Sequence, residues 1–275
     1  MFAPPQGNRD ANVAIRVALH SPAFRRDIGH MRVLAAIGLT ILFVIGAVLG
    51  LAIGLVIFPI SLIRRARAVH AEGVVCRAEL VAKDPLGQRL VGPALVRLSG
   101  ALEGQATTSA DVLGLDIRLQ RTATSDARDG DQDLLLGSFE SFHTAGRDRA
   151  NTNTGDYLGN HYSTVTPWWV PSRGPAILRL VPPPPLPKDR GANRLARLDA
   201  DLAADRARFA LVLSTGTAEL ALAELRLVAR LEIDDRRLRA SMFRQGRGVR
   251  PLGLRNGIRA TVYPMSQAGR RLRGG

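Results

Sequence analysis

Residues 33–63 read VLAAIGLTILFVIGAVLGLAIGLVIFPISLI, a run of 31 residues that contains no charged side chain. The basic cluster Arg64-Arg65-Ala66-Arg67 follows it directly. A helix needs roughly 20 mostly apolar residues to cross the hydrocarbon core of a bilayer. Buried helices of ordinary domains are usually shorter and are interrupted by polar positions. The run therefore predicts a single transmembrane helix over residues 31–66, preceded by an N-terminal arm at 1–30 and followed by one domain at 67–275.

Three glycines in this run, Gly46, Gly50 and Gly54, recur at every fourth position and share one helix face. Small residues in such a stripe let two membrane helices approach closely, which favours a homodimer through these glycines. Arginines flank both ends of the run, so the positive-inside rule is nearly balanced. We favour a single-pass membrane protein with a cytoplasmic C-terminal domain.

Composition narrows the classes of partner. The net charge is +14, and eleven arginines with no Asp or Glu lie between residues 236 and 273. No nucleic-acid-binding motif accompanies this charge, and no basic stripe is interleaved with stacking aromatic residues. We therefore predict no nucleic-acid partner, and we predict contact with membrane lipid. The single cysteine, Cys76, excludes an internal disulfide and a multi-cysteine metal site, and indicates a small buried residue.

The domain after the apolar run is rich in short strand patterns, which are separated by Gly-, Pro- and Asp-containing loops. One amphipathic helix is predicted at 193–207, where Leu195, Leu198 and Leu202 have helical spacing. This order of elements indicates an antiparallel β-rich domain with a few helices and not alternating β–α units. The predicted strands are 73–82, 93–98, 112–119, 134–136, 176–181, 209–214 and 225–233.

Three short segments carry the candidate chemistry: Arg67-Ala-Val-His70-Ala-Glu-Gly73, Val96-Arg97-Leu98-Ser99, and the C-terminal RATVYPMSQAGR at 259–270. Arg259 and Tyr263 are four residues apart, so they share one face of a helix. A guanidinium beside a phenol favours the phenolate, which is a hard oxygen donor suited to ferric iron. Taken singly, the segments are more typical of an ordinary surface or core histidine and of a basic C-terminal tail with one incidental tyrosine.

Together, and in this order, the segments resemble the haem-dependent catalase family, specifically its small catalase-related members. The family patterns Arg-x-x-His-Ala-x-Gly, Val-Arg-x-Ser and Arg-x₃-Tyr-x₆-Arg are each present with the same spacing. Two further strands are similar to family strands, one with Asp111 and Gly114 and the next beginning Asp133-Leu134-Leu135. The resemblance covers most of residues 67–273.

The resemblance implies an α+β fold in which a closed antiparallel β-barrel with flanking helices holds haem b against a C-terminal helix. Tyr263 would be the proximal iron ligand, and Arg259 would keep its phenolate anionic. His70 would be the distal acid–base group, oriented by Ser99. Ion pairs with the two haem propionates would come from Arg67, Arg97 and Arg270. The ring of Phe142 would lie over the haem.

The implied function is that of a membrane-anchored peroxidase that reduces hydrogen peroxide or organic hydroperoxides through a ferryl haem intermediate, with an organic reductant. True catalases place an asparagine just after the strand that begins at Asp133, whereas this chain has Gly137 and then Ser138. Peroxidase turnover is therefore expected over efficient peroxide dismutation. Two alternatives stay open: a haem-binding relative without turnover that serves as a sensor or reservoir, and a haem-free tethered barrel that scaffolds a partner through its basic end.

Overall fold

The computed structural model describes residues 22–64, 70, 72–101, 110–121, 126–141, 143–182, 184–215, 218–235 and 238–272, with only the backbone described at 22–29, 64, 270 and 271. The helices within these residues are α1 (Pro22–Arg64), α2 (Ala145–Asn151), α3 (Arg194–Ala203) and α4 (Leu254–Arg271), with a short 3-10 helix at Gly87–Leu90. The strands are β1 (Gly73–Ala82), β2 (Gly92–Gly100), β3 (Leu113–Leu119), β4 (Gln132–Gly137), β5 (Tyr162–Ser163), β6 (Trp168–Val170), β7 (Gly174–Val181), β8 (Arg208–Ser214), β9 (Glu219–Leu231) and β10 (Arg250–Pro251).

Eight of these strands close into a barrel. The order is β7-β5-β4-β3-β2-β1-β9-β8, and β8 pairs back with β7, so every strand of the ring has two neighbours. All of these pairings are antiparallel. Strands β6 and β10 extend the sheet from β7 outside the ring. The predicted closed antiparallel β-barrel with flanking helices is therefore confirmed.

The strands nearest the predicted site are buried on both faces. Along β2, Val96 and Leu98 belong to the main apolar core, whereas Arg97 and Ser99 face the other way and are also buried. Leu95 packs with Leu238 in a second, smaller cluster on that outer face. A strand covered on both faces lacks clean alternation of apolar and polar residues, which explains the imperfect pattern in the sequence.

Helix α1 is the one helix of the described residues that is long and apolar enough to cross a membrane. Only 17% of its most apolar window is buried. The helix begins at Pro22, within the segment predicted as an N-terminal arm at 1–30. Proline suits the first position of a helix, because its missing N–H has no partner there in any case.

The glycine stripe of α1 packs against α4 of the same chain. A Cβ atom on Gly46 would lie 1.9 Å from the carbonyl oxygen of Leu254, and one on Gly50 would lie 2.6 Å from that of Ile258. A Cβ on Gly54 would meet Met265 at 2.1 Å. The face predicted to make a homodimer is thus covered within the monomer, and a dimer through these glycines would first have to displace α4.

Boundaries differ where backbone geometry overrides side-chain patterns. The helix predicted at 193–207 ends at Ala203, and Asp205 just after it has a φ of 51°, which cannot continue a right-handed helix. The strand predicted at 225–233 is the second half of the longer β9. The two- and three-residue strands β5, β6 and β10 are too short for any sequence pattern to reveal.

Candidate functional site

His70 stands just before β1 with an unusual backbone conformation. Its φ is 59°, in the left-handed region that residues other than glycine adopt only at a cost of about 1–3 kcal/mol. Its backbone N–H donates to the carbonyl of Ala101 at 2.8 Å. Its own carbonyl accepts a hydrogen bond from Arg97 Nη2, also at 2.8 Å. The position of His70 is therefore set by neighbours on both sides of its peptide unit.

The imidazole of His70 is paired with Ser99, as the sequence predicted. The distance from Ser99 Oγ to His70 Nδ1 is 3.0 Å, and Ser99 is buried near the end of β2. Which atom donates depends on the tautomer of the ring. When Nδ1 carries the proton and donates to Ser99, Nε2 is the basic atom. The catalytic role of this pair stays a prediction.

A row of small residues crosses five strands beside His70. Paired residues on antiparallel strands direct their side chains to the same face of the sheet, so this row has almost no side chains of its own and leaves room for groups from other parts of the chain. A Cβ on Gly114 would lie 2.6 Å from His70 Cε1 and 2.8 Å from its Nδ1. Gly114 is thus the residue that makes room for the imidazole. In register, the row consists of Gly73, Ser99, Gly114, Gly137 and Ser163.

Arg97 is buried beside this row and already has a carboxylate partner. Its Nε and Nη2 donate to Asp235 Oδ2 at 2.8 and 2.6 Å. Gly73 leaves space for the guanidinium, since a Cβ there would lie 2.7 Å from Arg97 Cζ. Asp235 was missed by sequence reasoning, because no motif connects it to a residue 138 positions earlier. The predicted propionate pairing of Arg97 would have to coexist with this ion pair.

Arg259 and Tyr263 lie together on α4, one helical turn apart. Arg259 Nε donates to Tyr263 Oη at 3.3 Å, and the guanidinium lies 5.7 Å from the centroid of the phenol ring. Tyr263 is half-buried and packs against the main core. It lies on the face of α4 opposite to Leu254, Ile258 and Met265, which meet α1. The two residues that the spacing placed on one helix face are therefore in contact.

The segment after β9 joins the two parts of the site. Asp235 binds Arg97 beside His70, and the carbonyl of Ala240 accepts a hydrogen bond from Gln267 on α4, one turn after Tyr263. These two anchor points are five residues apart in the chain, so they are separated by at most ~18 Å. The barrel strand that carries Arg97 and the helix α4 are thus both contacted by this one segment.

Three predicted residues lack a described side chain. Arg67 and Phe142 lie outside the described residues, and for Arg270 only the helical backbone is described. Position 270 is seven residues, or two turns, after Tyr263, so it lies on the same face of α4. The haem contacts predicted for these three positions remain predictions.

The position that differs from true catalases carries no amide. Ser138 Oγ accepts from the backbone N–H of Leu113 at 2.9 Å and lies 3.0 Å from Thr152 Oγ1, so this hydroxyl is already engaged. A Cβ on Gly137 would lie 2.6 Å from the ring of Phe139. Phe139 was not singled out from the sequence, although glycine inside a strand often marks the close approach of another group.

A cavity of about 570 Å³ opens at the far end of the row, where Phe139 and Ser163 contribute to its wall. Its other walls carry His161, Arg179 and further polar side chains. The cavity is large enough for a small organic molecule. Elsewhere in the described part of the chain, no cluster of three or more His, Cys, Asp or Glu side chains is arranged to hold a metal ion.

A buried ion cluster stabilises the segment that links barrel and α4. Asp133 accepts from Arg118 Nε at 3.2 Å, from Arg244, and from the backbone N–H of Ser241 at 2.8 Å. Burial raises the pKa of Asp133 above its ordinary value, against the lowering effect of the two guanidinium groups. Arg118 also donates to the carbonyl of Arg239 at 2.5 Å. The cluster therefore fixes residues 239–244 against β3 and β4.

Comparison with known proteins adds a distant structural likeness. No family model matches the chain, and no curated protein matches it. A solved structure described as that of a bacterial catalase is similar to it, with 12% identity and a TM-score of 0.44. The alignment covers 74% of this chain and 57% of that one, so the chain spans little more than half of the catalase's length.

Proposed function

We propose that this chain is a membrane-anchored, haem-dependent peroxidase that reduces hydrogen peroxide or organic hydroperoxides at the expense of an organic reductant. The observation that carries the proposal is the imidazole of His70, which Ser99 holds against Gly114 within a row of small residues. Residues that their neighbours hold at a positive φ often cluster at reactive sites, and His70 is one of them.

The residues present fit a haem group in one respect. The row around Gly114 does not supply an open slot, because the His70 ring, the Arg97 guanidinium and the Phe139 ring occupy the space beside its glycines. Tyr263 offers a phenol oxygen that already accepts a hydrogen bond from Arg259, and this donor suits a phenolate that binds iron. In this proposal Tyr263 binds the iron, and Arg97, with Arg67 and Arg270, lies beside the propionates.

The ion pair between Arg97 and Asp235 affects how tightly haem would be held. Arg97 uses its Nε and Nη2 atoms on Asp235 and on the His70 carbonyl. A propionate at Arg97 would therefore share the guanidinium with a carboxylate, which reduces the favourable charge available to it. Weaker haem retention than in a site with an unshared arginine is expected.

Bound haem would supply an iron that binds the peroxide and exchanges electrons with it and with the reductant. The chain itself moves the proton. With Nδ1–H donated to Ser99, the Nε2 atom of His70 accepts the proton of the bound peroxide and returns it to the departing oxygen, so water or an alcohol leaves. Without Ser99 the ring would lose its fixed tautomer and orientation.

Peroxidase turnover is favoured over dismutation of two peroxide molecules. Dismutation in true catalases uses an amide to orient the second peroxide, and here Gly137 and the engaged hydroxyl of Ser138 supply none. The cavity beside Phe139 instead offers space for an organic reductant. A reductant there would lie at the edge of the row, next to the proposed ring position.

The test uses the full chain, expressed with haem supply and purified in detergent, with visible spectra recorded before and after peroxide. Wild type is expected to show a haem spectrum that Tyr263→Phe loses or shifts. His70→Ala is expected to keep haem and to lose about 10²–10⁴-fold in peroxide reaction rate. His30→Ala is the matched control, because His30 is an exposed histidine on α1 with no part in the proposed site; it should behave as wild type. A wild-type protein that binds no haem contradicts the proposal, and the remaining hypothesis is then a haem-free tethered barrel that scaffolds a partner.

A second function, haem binding without turnover as a sensor or reservoir, is favoured by the missing amide and by the sharing of Arg97. It predicts the same effect of Tyr263→Phe on the spectrum. It differs in that peroxide leaves the bound haem unchanged in wild type and in His70→Ala alike.

A further inference from the structure

We infer that α1 does not cross the bilayer but lies in the plane of one leaflet, docked lengthwise on α4, and that the chain is therefore a monotopic membrane protein. This inference is independent of the proposed haem chemistry, because it depends only on the surface and the contacts of α1.

The exposed surface of α1 fits hydrocarbon. Sixteen of the nineteen large apolar side chains that are exposed in the described part of the chain lie on this helix, from Met31 to Ile63. Its polar side chains are satisfied within the protein: Thr40 Oγ1 donates to the Ala36 carbonyl at 2.7 Å, and Ser61 Oγ lies 2.8 Å from Ser266 Oγ. A protein partner would meet polar groups in such a large interface, whereas lipid tails need none.

The contacts of α1 with the rest of the chain extend along almost its whole apolar run. Arg32 lies against Gly174 at the start of β7, and the carbonyl of Leu39 accepts a hydrogen bond from the Gly253 N–H at 2.9 Å. Further along, Thr261 Oγ1 donates to the Ala47 carbonyl at 3.1 Å. The glycine stripe and the Ser61–Ser266 pair continue this interface toward the end of the helix.

Both helices carry the small residues that the interface needs. A Cβ on Gly257 of α4 would lie 2.0 Å from the Phe43 carbonyl oxygen, and one on Gly269 would lie 2.6 Å from that of Phe58. These glycines on α4 lie in the same helix–helix interface as Gly46 and Gly50 on α1. The close approach is therefore specified from both sides, which indicates a permanent contact and not an incidental one.

A docked α1 cannot cross the membrane without taking α4 with it. Helix α4 bears Arg255 and Arg259, and a cation at the bilayer centre is costly. In the plane of a leaflet the problem disappears, because a helix ~10 Å wide fits within half of a ~30 Å core while α4 and the barrel stay in water. α1 alone is apolar all round, and with α4 as its polar side the pair has the character of an interfacial helix. Exposed Arg32, at the start of the apolar run, suits an anionic headgroup.

The first experiment locates both ends of α1. His30→Cys and Glu72→Cys variants, each at an exposed position, are expressed in bacterial membranes and treated with a membrane-impermeant maleimide in spheroplasts and in inverted vesicles. Wild type is the control, because buried Cys76 should not react. The inference expects both positions to be labelled from the same side. Labelling from opposite sides, or a protein that does not associate with membranes, overturns it.

The second experiment asks whether the docked form is the membrane form. Ser61→Cys/Ser266→Cys should form a disulfide in native membranes under mild oxidation, whereas Ser61→Cys/Gln267→Cys should not, because Gln267 faces Ala240. Adding Gly46→Leu, which would meet the α4 backbone, should abolish the cross-link. Gly38→Leu is the matched control, since nothing lies within 4 Å of that position, and it should leave the cross-link intact. Absence of the Ser61–Ser266 cross-link in membranes overturns the inference.

Discussion

Replacing Gly114 with alanine tests the central feature of the site, the imidazole held against a strand without a side chain. The new Cβ would lie 2.6 Å from His70 Cε1, and an ordinary carbon contact needs ~3.5 Å, so the ring must move by about 0.9 Å. Ser99 Oγ would also lie 3.1 Å from the new Cβ, so both partners of the 3.0 Å Ser99–His70 contact must adjust and its geometry is disturbed. A misplacement of about 1 Å typically costs ~10²-fold in rate, or about 2.7 kcal/mol of barrier.

The assay is steady-state peroxide turnover of the haem-loaded full chain, with the visible spectrum and the free energy of unfolding measured on the same samples. Gly114→Ala is expected to lose ~10²-fold in turnover while it keeps haem and loses only about 1 kcal/mol of stability, the value of one hydrogen bond. Gly146→Ala is the control, because nothing lies within 4 Å of Gly146 on α2. Wild-type turnover in Gly114→Ala would refute the reasoning, since the ring would then not depend on the space at this strand.

Three further predictions concern charge and burial. Asp235→Asn removes the carboxylate partner of buried Arg97 and should cost about 3–5 kcal/mol in chemical denaturation, whereas exposed Asp129→Asn should be nearly neutral. The hydrogen bond from Arg226 lowers the pKa of Glu224 below its ordinary value of 4.5. The contribution of Glu224 to stability is therefore present above pH 4.5 and is lost as the pH falls through the lower pKa of the folded state. Arg226→Ala should raise the pKa of Glu224 in an NMR titration and should reduce the loss of stability in acid. Burial raises the pKa of the Cys76 thiol to about 12, so iodoacetamide at pH 8 should modify Cys76 only in denaturant, and rapid modification of the native protein would contradict its burial.

Much of the barrel could be predicted from local patterns. Strands such as β1 and β3 have enough apolar residues to be recognised, and the four-residue spacing of Arg259 and Tyr263 placed them correctly on one helix face. The Ser99–His70 contact followed from the family resemblance and is present. These features depend on short-range periodicity or on motifs, both of which a single sequence displays.

The features that could not be predicted depend on pairings distant in the chain. Asp235 has no local signature, because its partner Arg97 lies on another strand and the ion pair exists only after the barrel closes. The glycine stripe of α1 was correctly recognised as a close-packing face, but periodicity identifies a face and not its partner. From the sequence we expected this face to pack against a second copy of the chain, whereas in the structure it packs against α4. Short strands such as β5 carry too few residues for any periodicity to be visible.

The contact between α1 and α4 joins two elements that the ribosome produces far apart in time. Gly46 and Leu254 are separated by 208 residues, which take roughly 10–40 s to synthesise at 5–20 residues per second. Throughout that interval the nascent helix exposes its whole circumference and has no companion in the chain. Early delivery of α1 to a lipid surface or to a chaperone is therefore a requirement of biogenesis, and its glycine stripe is covered only after α4 has been synthesised.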